Sequence, residues 1–369
     1  MRSVPRSAKA FLTTVSAIVK GGGGGVKPAG RHPRRRRTLE ASLTMAGKIE
    51  KTSRKAHLRA IGPCRMRTME TVLLEDHSLR DGLQAEARIL RLEDKLALFR
   101  LLAEAGFRQI QAASFVDPRV IPQMAQSEEL IRSVLRDFPE VAVSALVLNA
   151  RGLSRARACG VRHLSLSSSA SDWHSRRNVG RSAAEAFDEL LRMIGEARAS
   201  GFAVQAGIQC AFGCVHEGPI PEERVAAMAK SLAEAGAPEI NLADTTGMAN
   251  PLLVRRLIRK VQEAAGETPL ALHLHDTRGL GIANLLAAWE CGVRRFDVSA
   301  GGLGGCPFVE GAAGNVAAED VVHLFEQLGV ATGIDLSRLC RAVRRYEELL
   351  GRRLPGRVCR VLATGVLGN

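Results

Sequence analysis

Two histidines and an aspartate occur together in the short run His273-Leu274-His275-Asp276. Side chains two residues apart in a strand point to the same side, so both imidazoles can share one metal ion. A lone histidine is usually structural, but this spacing at the end of a predicted strand favours a metal site. An Asp or Asn elsewhere in the chain must complete the coordination shell of the metal. A shell of nitrogen and oxygen ligands suits Mg2+, Mn2+ or Zn2+.

A second polar run, from Asp76 to Gln84, follows the first predicted strand and places Arg80 directly before Asp81. Asp81 can supply a hard anionic metal ligand. Arg80 offers a planar cation that can stabilise an enolate or carboxylate oxygen. The competing interpretation is an Arg–Asp ion pair on a surface turn.

A glycine-rich loop covers residues 301–307 and carries Cys306. Its composition predicts a mobile lid that presents the thiol to a closed site. A thiol near a metal ion or an arginine can exchange protons near neutral pH. The alternative is an ordinary glycine-rich connection with an incidental cysteine. The loop lacks the G-x-x-x-x-G-K-[ST] pattern, which argues against a phosphate-binding P-loop.

From Thr71 onward, short apolar runs alternate with amphipathic stretches of helical period. The predicted strands are Thr71–Glu75, Arg108–Ala113, Val141–Leu148, His163–Ser167, Ala203–Cys210, Ile240–Ala243, Leu270–His275 and Phe296–Ser299. The predicted helices are Leu92–Ala105, Ser127–Arg136, Ala183–Ala199, Glu222–Ala235, Leu252–Ala264, Leu280–Cys291, Ala317–Leu328 and a last one at Leu336–Leu350. Eight strand–helix units predict an α/β protein with a closed (β/α)8 TIM barrel and an extra C-terminal helix.

In such barrels the active site lies at the C-terminal ends of the strands, so polar residues at those ends are expected to cluster. The polar residues at these ends include Arg80, Asp81, Gln111, Asn149, Ser167, Gln209, Asp244, His273, His275 and Cys306. The pattern therefore predicts one site at one mouth of the barrel.

The first 68 residues are expected to form a disordered basic extension, and residues 69–369 the barrel domain. The extension holds 17 of the 52 Lys and Arg residues and only two acids, so its own net charge of +15 exceeds the net charge of +14 of the whole chain. Its apolar residues are too scattered to offset the entropy of ordering it. Four interpretations compete: an organelle-targeting peptide, a secretory signal, a real basic tail, or a stretch upstream of a true start at Met66 or Met69. We expect a cytoplasmic protein, or a mitochondrial one if the extension is a presequence.

The remaining 301 residues are nearly neutral and give no reason to expect nucleic-acid binding. No apolar run approaches the roughly 18 residues needed to cross a bilayer, so no membrane partner is expected. The eight cysteines lack the density of a disulfide scaffold, and we expect all of them, including Cys340 and Cys359, to be reduced thiols.

Six segments together resemble the hydroxymethylglutaryl-CoA lyase family of the DRE-TIM metallolyases. They are LRDGLQ at 79–84, SFVDPRVIPQM at 114–124, CAFGCVHEG at 210–218, ADTTG at 243–247, HLHDT at 273–277 and AGGLGGCPF-EGAAGNVAAED at 300–320. The resemblance extends from Thr71 to about Leu328, and its cysteine-containing glycine loop is specific to the lyase branch of the superfamily.

The resemblance implies a Mg2+ or Mn2+ ion held by Asp81, His273, His275 and Asn315. It also implies that Arg80 polarises the substrate carbonyl and stabilises an enolate, and that Cys306 takes part in proton transfer. Two acidic residues of the last segment, Glu319 and Asp320, are expected to support the site.

The implied substrate is an acyl-CoA. The implied reaction is the retro-Claisen cleavage of 3-hydroxy-3-methylglutaryl-CoA to acetyl-CoA and acetoacetate. A homodimer is the implied assembly.

One position departs from the family pattern: Gln111 stands where the family has a glutamate. An amide can accept a hydrogen bond from Arg80, but it cannot neutralise that cation or act as a base. Either Glu75 or Asp76 compensates, or the activity is weaker, or the substrate differs. Two alternatives follow: a sister enzyme that acts as a condensing synthase or an aldolase, and a weakly active paralogue that binds acyl-CoA.

Overall fold

The structure is a computed structural model that describes residues 70–305 and 313–362. The predicted basic extension, residues 1–68, and the predicted catalytic Cys306 lie outside the described residues.

Eight parallel strands form a closed barrel in which each strand pairs with the next one in the sequence. They are β1 (Leu73–Asp76), β2 (Gln109–Ser114), β3 (Ala142–Val147), β4 (His163–Ser169), β5 (Ala203–Gln209), β6 (Glu239–Ala243), β7 (Leu270–His273) and β8 (Arg295–Val298). The barrel is closed between β1 and β8, from the pair Leu73–Arg295 to the pair Asp76–Val298. The predicted TIM barrel is confirmed.

The described residues form eleven α-helices. They are α1 (Leu92–Glu104), α2 (Ser127–Asp137), α3 (Ala150–Cys159), α4 (Asp172–Val179), α5 (Ala183–Ala199), α6 (Glu222–Glu234), α7 (Pro251–Ala265), α8 (Gly281–Glu290), α9 (Ala318–Gln327), α10 (Leu336–Leu350) and α11 (Val358–Leu362). None of these helices is long and apolar enough to cross a membrane.

The sequence patterns did not predict the helices α3, α4 and α11. Helix α3 is short and rich in arginine, and α4 is almost entirely polar, so neither shows a clear apolar stripe. Side-chain caps mark where both begin: Asn149 accepts a hydrogen bond from the backbone of Gly152, and Ser171 accepts one from His174.

The outer helices cover the barrel with apolar residues at helical spacing. In α7, Val254, Leu257, Ile258 and Val261 are all buried, three or four residues apart. Each such side chain stabilises the fold by about 1.5–3 kcal/mol through burial. This packing fixes the strands whose C-terminal ends carry the polar residues.

The C-terminal segment corrects one prediction from the sequence. Cys340 of α10 and Cys359 of α11 form a disulfide, with their Cα atoms 5.3 Å apart, so these two residues are not reduced thiols. The spacing of 19 residues gave no signal, because only the packing of α11 back towards α10 brings the two side chains together. The other described cysteines, Cys159, Cys210, Cys214 and Cys291, are free.

Candidate active site

Three side chains, from the end of β7 and from the turn that follows β1, meet at the barrel mouth. The Nε2 atoms of His273 and His275 lie 3.1 Å apart. Asp81 Oδ2 lies 3.9 Å from His273 Nε2 and 3.8 Å from His275 Nε2. These potential ligand atoms are all within 4.8 Å of one another.

Asn315 lies beside this group because its segment pairs with the residues that follow β7. The residue forms a bridge with His275, and the backbone of Gly314 accepts a hydrogen bond from Asp276. Only glycine fits at position 314, since a Cβ there would lie 2.6 Å from the backbone of Gly304. The Nδ2 atom of Asn315 donates to Asp81 Oδ2 at 2.9 Å, and its Oδ1 atom is buried with no partner among the described residues.

This donor set fits a divalent metal ion. Two imidazole nitrogens about 2.1 Å from one ion at right angles would be about 3.0 Å apart, close to the spacing of His273 and His275. The unpartnered Oδ1 of Asn315 and the carboxylate of Asp81 are oxygen ligands of the kind that hard cations prefer.

The protonation states of the group also suit a metal ion. Burial lowers the pKa of His275 to about 4, so its imidazole is neutral near pH 7 and can coordinate. Burial alone would raise the pKa of Asp81, but Arg80 and the two histidines outweigh it and hold that pKa well below its usual range. Asp81 is therefore a carboxylate.

A carboxylate behind His273 was missed by the sequence reasoning. Asp297 Oδ2 lies 3.1 Å from His273 Nδ1 and accepts a hydrogen bond of 2.9 Å from Asn241 Nδ2. An imidazole whose Nδ1–H is held by a carboxylate presents a bare Nε2 to a metal. The only sequence signal was an Asp between the apolar residues Phe296 and Val298 of a predicted strand.

Asp297 also belongs to a second group, with His77 and His273, whose ligand atoms lie within 4.8 Å of one another. Using it would require His273 to coordinate through Nδ1. The first group is the better candidate because it adds the unpartnered oxygen of Asn315 and lets Asp297 orient His273.

Arg80 lies next to the candidate metal group, on a π-helical turn over Ser78–Gly82. Its Nη1 atom donates to Asp81 and its Nε atom to Gln111, while its Nη2 atom lies 3.0 Å from His77 Nδ1. A single-turn π-bulge is a frequent feature of functional sites. The structure thus brings Arg80, Asp81 and Gln111 together.

Neither predicted substitute for the missing glutamate bonds to Arg80. Glu75 accepts hydrogen bonds from Ser144 and Gln109 instead. Asp76 accepts two from Ser78, and burial raises its pKa to about 7. Arg80 is therefore paired with one carboxylate, Asp81, and with neutral acceptors.

A cavity of about 520 Å³ opens from these residues to the surface. Its floor includes Arg80, Asp81, His273 and His275, and its outer wall includes α4 and Arg181. This volume lies in the range that binds small-molecule ligands.

Comparisons with known proteins identify the family. A family model described as HMGL-like matches residues 71–345. (R)-Citramalyl-CoA lyase of Chloroflexus aurantiacus is 43% identical over 299 residues, which cover 79% of this chain and 94% of the relative. Hydroxymethylglutaryl-CoA lyase YngG of Bacillus subtilis is 36% identical over 286 residues, which cover 78% of this chain and 95% of that relative. A solved structure of an HMG-CoA lyase from Acinetobacter baumannii, in complex with coenzyme A and 3-methylmalate, also matches. Its TM-score is 0.76 at 36% identity, and the match covers 81% of this chain and 96% of that one.

The chain belongs to the HMGL-like family. The resemblance predicted from the six sequence segments is therefore confirmed, and the protein is a lyase of this family. The relatives are named as lyases of CoA thioesters, the family is metal-dependent in general, and the His/Asp group of this barrel could hold a metal ion.

The remaining predicted residues of the HMGL-like site lie elsewhere. Glu319 is buried behind the glycine loop, where its Oε2 accepts a hydrogen bond from the backbone of Gly301. Burial raises its pKa to about 8, so near pH 7 it is largely a neutral carboxylic acid. Asp320 accepts hydrogen bonds from the backbones of Arg357 and Val358. Both acidic residues thus contact the backbone around the site and not the candidate metal group.

We predict that Asp297→Asn weakens Mn2+ binding by about 10–100-fold, because the amide no longer holds His273 in the coordinating tautomer. The affinity can be measured by titration of the metal-free protein with Mn2+, followed by electron paramagnetic resonance. Asp335→Asn, at the start of the remote helix α10, is the matched control. An unchanged affinity in the Asp297 variant would contradict the orienting role.

Proposed function

We propose that this protein cleaves a carbon–carbon bond in a 3-hydroxy-3-methyl-acyl-CoA thioester that carries a terminal carboxylate, and that acetyl-CoA is one product. The observation that carries the proposal is the meeting of Arg80 with Asp81, His273, His275 and Asn315 at the floor of the cavity. Such a site can bind a hydroxyl and a carboxylate oxygen beside a cation that stabilises an enolate.

In the proposed site, Asp81, His273, His275 and Asn315 hold the divalent metal. When bound, the metal lowers the pKa of the substrate hydroxyl and neutralises negative charge on its oxygens. A general base accepts the hydroxyl proton, and the oxygen forms a ketone while the bond between C2 and C3 breaks. The electron pair remains on C2 as a thioester enolate, which the guanidinium of Arg80 stabilises. Protonation at C2 gives acetyl-CoA, and the family resemblance assigns this proton transfer to Cys306.

Two substrates that differ by one methylene group are the candidates within this class. In 3-hydroxy-3-methylglutaryl-CoA the carboxylate is one methylene away from the carbinol carbon, and the second product is acetoacetate. In citramalyl-CoA the carboxylate is attached to the carbinol carbon, and the second product is pyruvate.

We propose citramalyl-CoA as the preferred substrate. Its carboxylate lies nearer to the bond that breaks, and therefore nearer to the residues around Arg80. A glutamate at position 111 would repel this carboxylate, whereas the neutral Gln111, which bonds to Arg80, adds no second negative charge beside that cation. The identity of 43% with (R)-citramalyl-CoA lyase, against 36% with YngG, supports this choice. The HMG-CoA lyase solved with coenzyme A and 3-methylmalate supports a hydroxydicarboxylate ligand in this class of site.

The experiment is a comparison of the two CoA thioesters on one preparation of the full chain loaded with Mn2+. Pyruvate is detected by coupling to lactate dehydrogenase, and acetoacetate by coupling to hydroxybutyrate dehydrogenase. We expect kcat/KM for (R)-citramalyl-CoA to exceed that for 3-hydroxy-3-methylglutaryl-CoA by about tenfold or more, the factor that one methylene group is worth in a binding site. The reverse ratio would assign the longer substrate, and no cleavage of either would refute the proposal.

We further predict that Gln111→Glu lowers kcat/KM for citramalyl-CoA by about tenfold or more, since an added negative charge would face the substrate carboxylate. The same change is expected to shift the ratio of the two substrates towards 3-hydroxy-3-methylglutaryl-CoA. Gln262→Glu, on the outer face of α7, is the control with the same change in charge. If Gln111→Glu raises the rate on citramalyl-CoA, the electrostatic account of substrate choice is wrong.

A further inference from the structure

Arg80 can act on substrate only if its guanidinium is held in one orientation, and one of its contacts is a side chain with no assigned role. His77 is buried, and its Nδ1 atom lies 3.0 Å from Arg80 Nη2. Its backbone is anchored on both sides: the N–H donates to Val298 in β8, and the carbonyl accepts from Arg80 and Gly82. The imidazole is therefore fixed beside the guanidinium.

The chemistry of this contact determines the tautomer of His77. Arginine has only donors, so Nδ1 of His77 must accept and the ring proton must be on Nε2. That Nε2 atom lies 3.6 Å from Asp297 Oδ2 and 3.8 Å from Glu75 Oε2, so two carboxylates face the ring N–H. Both carboxylates favour the tautomer that accepts from Arg80.

The guanidinium of Arg80 then has a defined set of free donors. It carries five N–H groups. Among the described residues, one is directed to Gln111, one to Asp81 and one to His77. One N–H on each terminal nitrogen is left, and a carboxylate or thioester oxygen can accept both. Without His77, the Nη2 end would have no partner, and Gln111 and Asp81 alone would hold the guanidinium.

We propose that His77 is a positioning residue that orients Arg80 towards the substrate, and that it replaces the anchoring that a carboxylate at position 111 would give. Gln111 bonds only to the Nε side of the guanidinium and carries no charge, so a second acceptor is needed at the Nη2 end. Asp297 Oδ2 lies 3.1 Å from His273 Nδ1 and 3.6 Å from His77 Nε2, so one carboxylate lies beside both the ring next to the candidate metal and the ring that contacts Arg80. This inference rests on the proposed lyase function.

The test compares His77→Leu, His77→Asn and the double variant His77→Leu/Gln111→Glu in the full chain. Leucine removes the acceptor, whereas the Oδ1 of asparagine can occupy the position of Nδ1. We expect kcat to fall by about 30–100-fold in His77→Leu with KM changed less than threefold, because the oriented charge acts mainly in the transition state. His77→Asn is expected to exceed His77→Leu at least tenfold in kcat. On 3-hydroxy-3-methylglutaryl-CoA, whose carboxylate lies farther from the carbinol carbon, the double variant is expected to recover at least fivefold in kcat over His77→Leu, since a glutamate at 111 anchors Arg80 with its own charge.

Two further readouts separate positioning from structure and from ligation. Thermal unfolding and Mn2+ titration are measured on each variant, with His323→Leu on α9 as the control histidine. Loss of activity in parallel with a collapse of Mn2+ affinity in His77→Leu would make His77 a metal ligand and overturn the inference. Equal losses of kcat in His77→Leu and His77→Asn, without rescue by Gln111→Glu, would also overturn the inference. If the wild-type chain cleaves neither CoA thioester, the proposed function fails, whereas an active wild type with an unimpaired His77→Leu variant refutes only the positioning role.

Discussion

Replacing Arg80 with glutamine is expected to lower kcat by about 1,000-fold, the upper range for removal of a donor that stabilises a developing oxyanion. The geometry makes the effect large, because Arg80 is buried and held by Asp81, Gln111 and His77. Little water is available to replace the lost cation in such a site. Arg80→Lys keeps the charge but loses the planar fork, so we expect an intermediate loss of about 100-fold.

The measurement for Arg80 is steady-state cleavage of the preferred CoA thioester at saturating Mn2+. Arg136→Gln is the matched control, because that side chain is exposed and pairs only with its neighbour Asp137 among the described residues. If Arg80→Gln lowers the affinity for Mn2+, Arg80 acts by stabilising the metal site instead. A loss below tenfold in Arg80→Gln would contradict the assignment of enolate stabilisation to this residue.

Replacing His275 with alanine is expected to weaken Mn2+ binding more than 100-fold and to abolish measurable cleavage. Removal of a group behind a ligand typically costs about 10–100-fold in affinity, and loss of the ligand itself costs more. His275 and His273 supply the two nitrogens of the group, so one imidazole and the oxygens of Asp81 and Asn315 would remain. A cavity at the mouth would be left where the ring was.

Electron paramagnetic resonance of added Mn2+ gives the affinity of the His275 variant directly, and the same samples give the cleavage rate. His323→Ala serves as the control for loss of a histidine. Retention of tight Mn2+ binding with loss of activity would remove His275 from the ligand set. It would then favour the second group, in which His77, His273 and Asp297 could hold the ion.

The sequence predicted the barrel because its signals are local. Each strand is a short apolar run, and each long outer helix has a continuous apolar stripe, as in α7. The boundaries moved where a charged residue lies inside a strand: β8 begins at Arg295, which forms an ion pair with Glu239 of β6, two strands away in the barrel. The polar helix α4 was missed because its apolar face is too short to show a period.

The sequence predicted only part of the candidate site. It predicted the residues that lie close together in the chain or at the ends of predicted strands, and it missed those that meet only in the folded barrel. His273 and His275 lie two residues apart, and Asp81 stands at the end of the first predicted strand, so their meeting follows from the barrel alone. His77 and Asp297 become neighbours only because closure places β8 between β7 and β1. The disulfide between Cys340 and Cys359 likewise depends on how two helices pack, which no periodic pattern encodes.

We propose that a divalent metal, held by Asp81, His273, His275 and Asn315, is required for cleavage of the carbon–carbon bond. The most direct measurement is acetyl-CoA release from (R)-citramalyl-CoA and from 3-hydroxy-3-methylglutaryl-CoA by protein stripped of metal, before and after addition of Mn2+ or Mg2+. We predict no release from the stripped protein, and recovery that saturates at one metal per chain. Release of acetyl-CoA at the full rate from the stripped protein would show that the metal is not required. If folded, metal-loaded protein releases acetyl-CoA from neither substrate, the proposed cleavage is wrong.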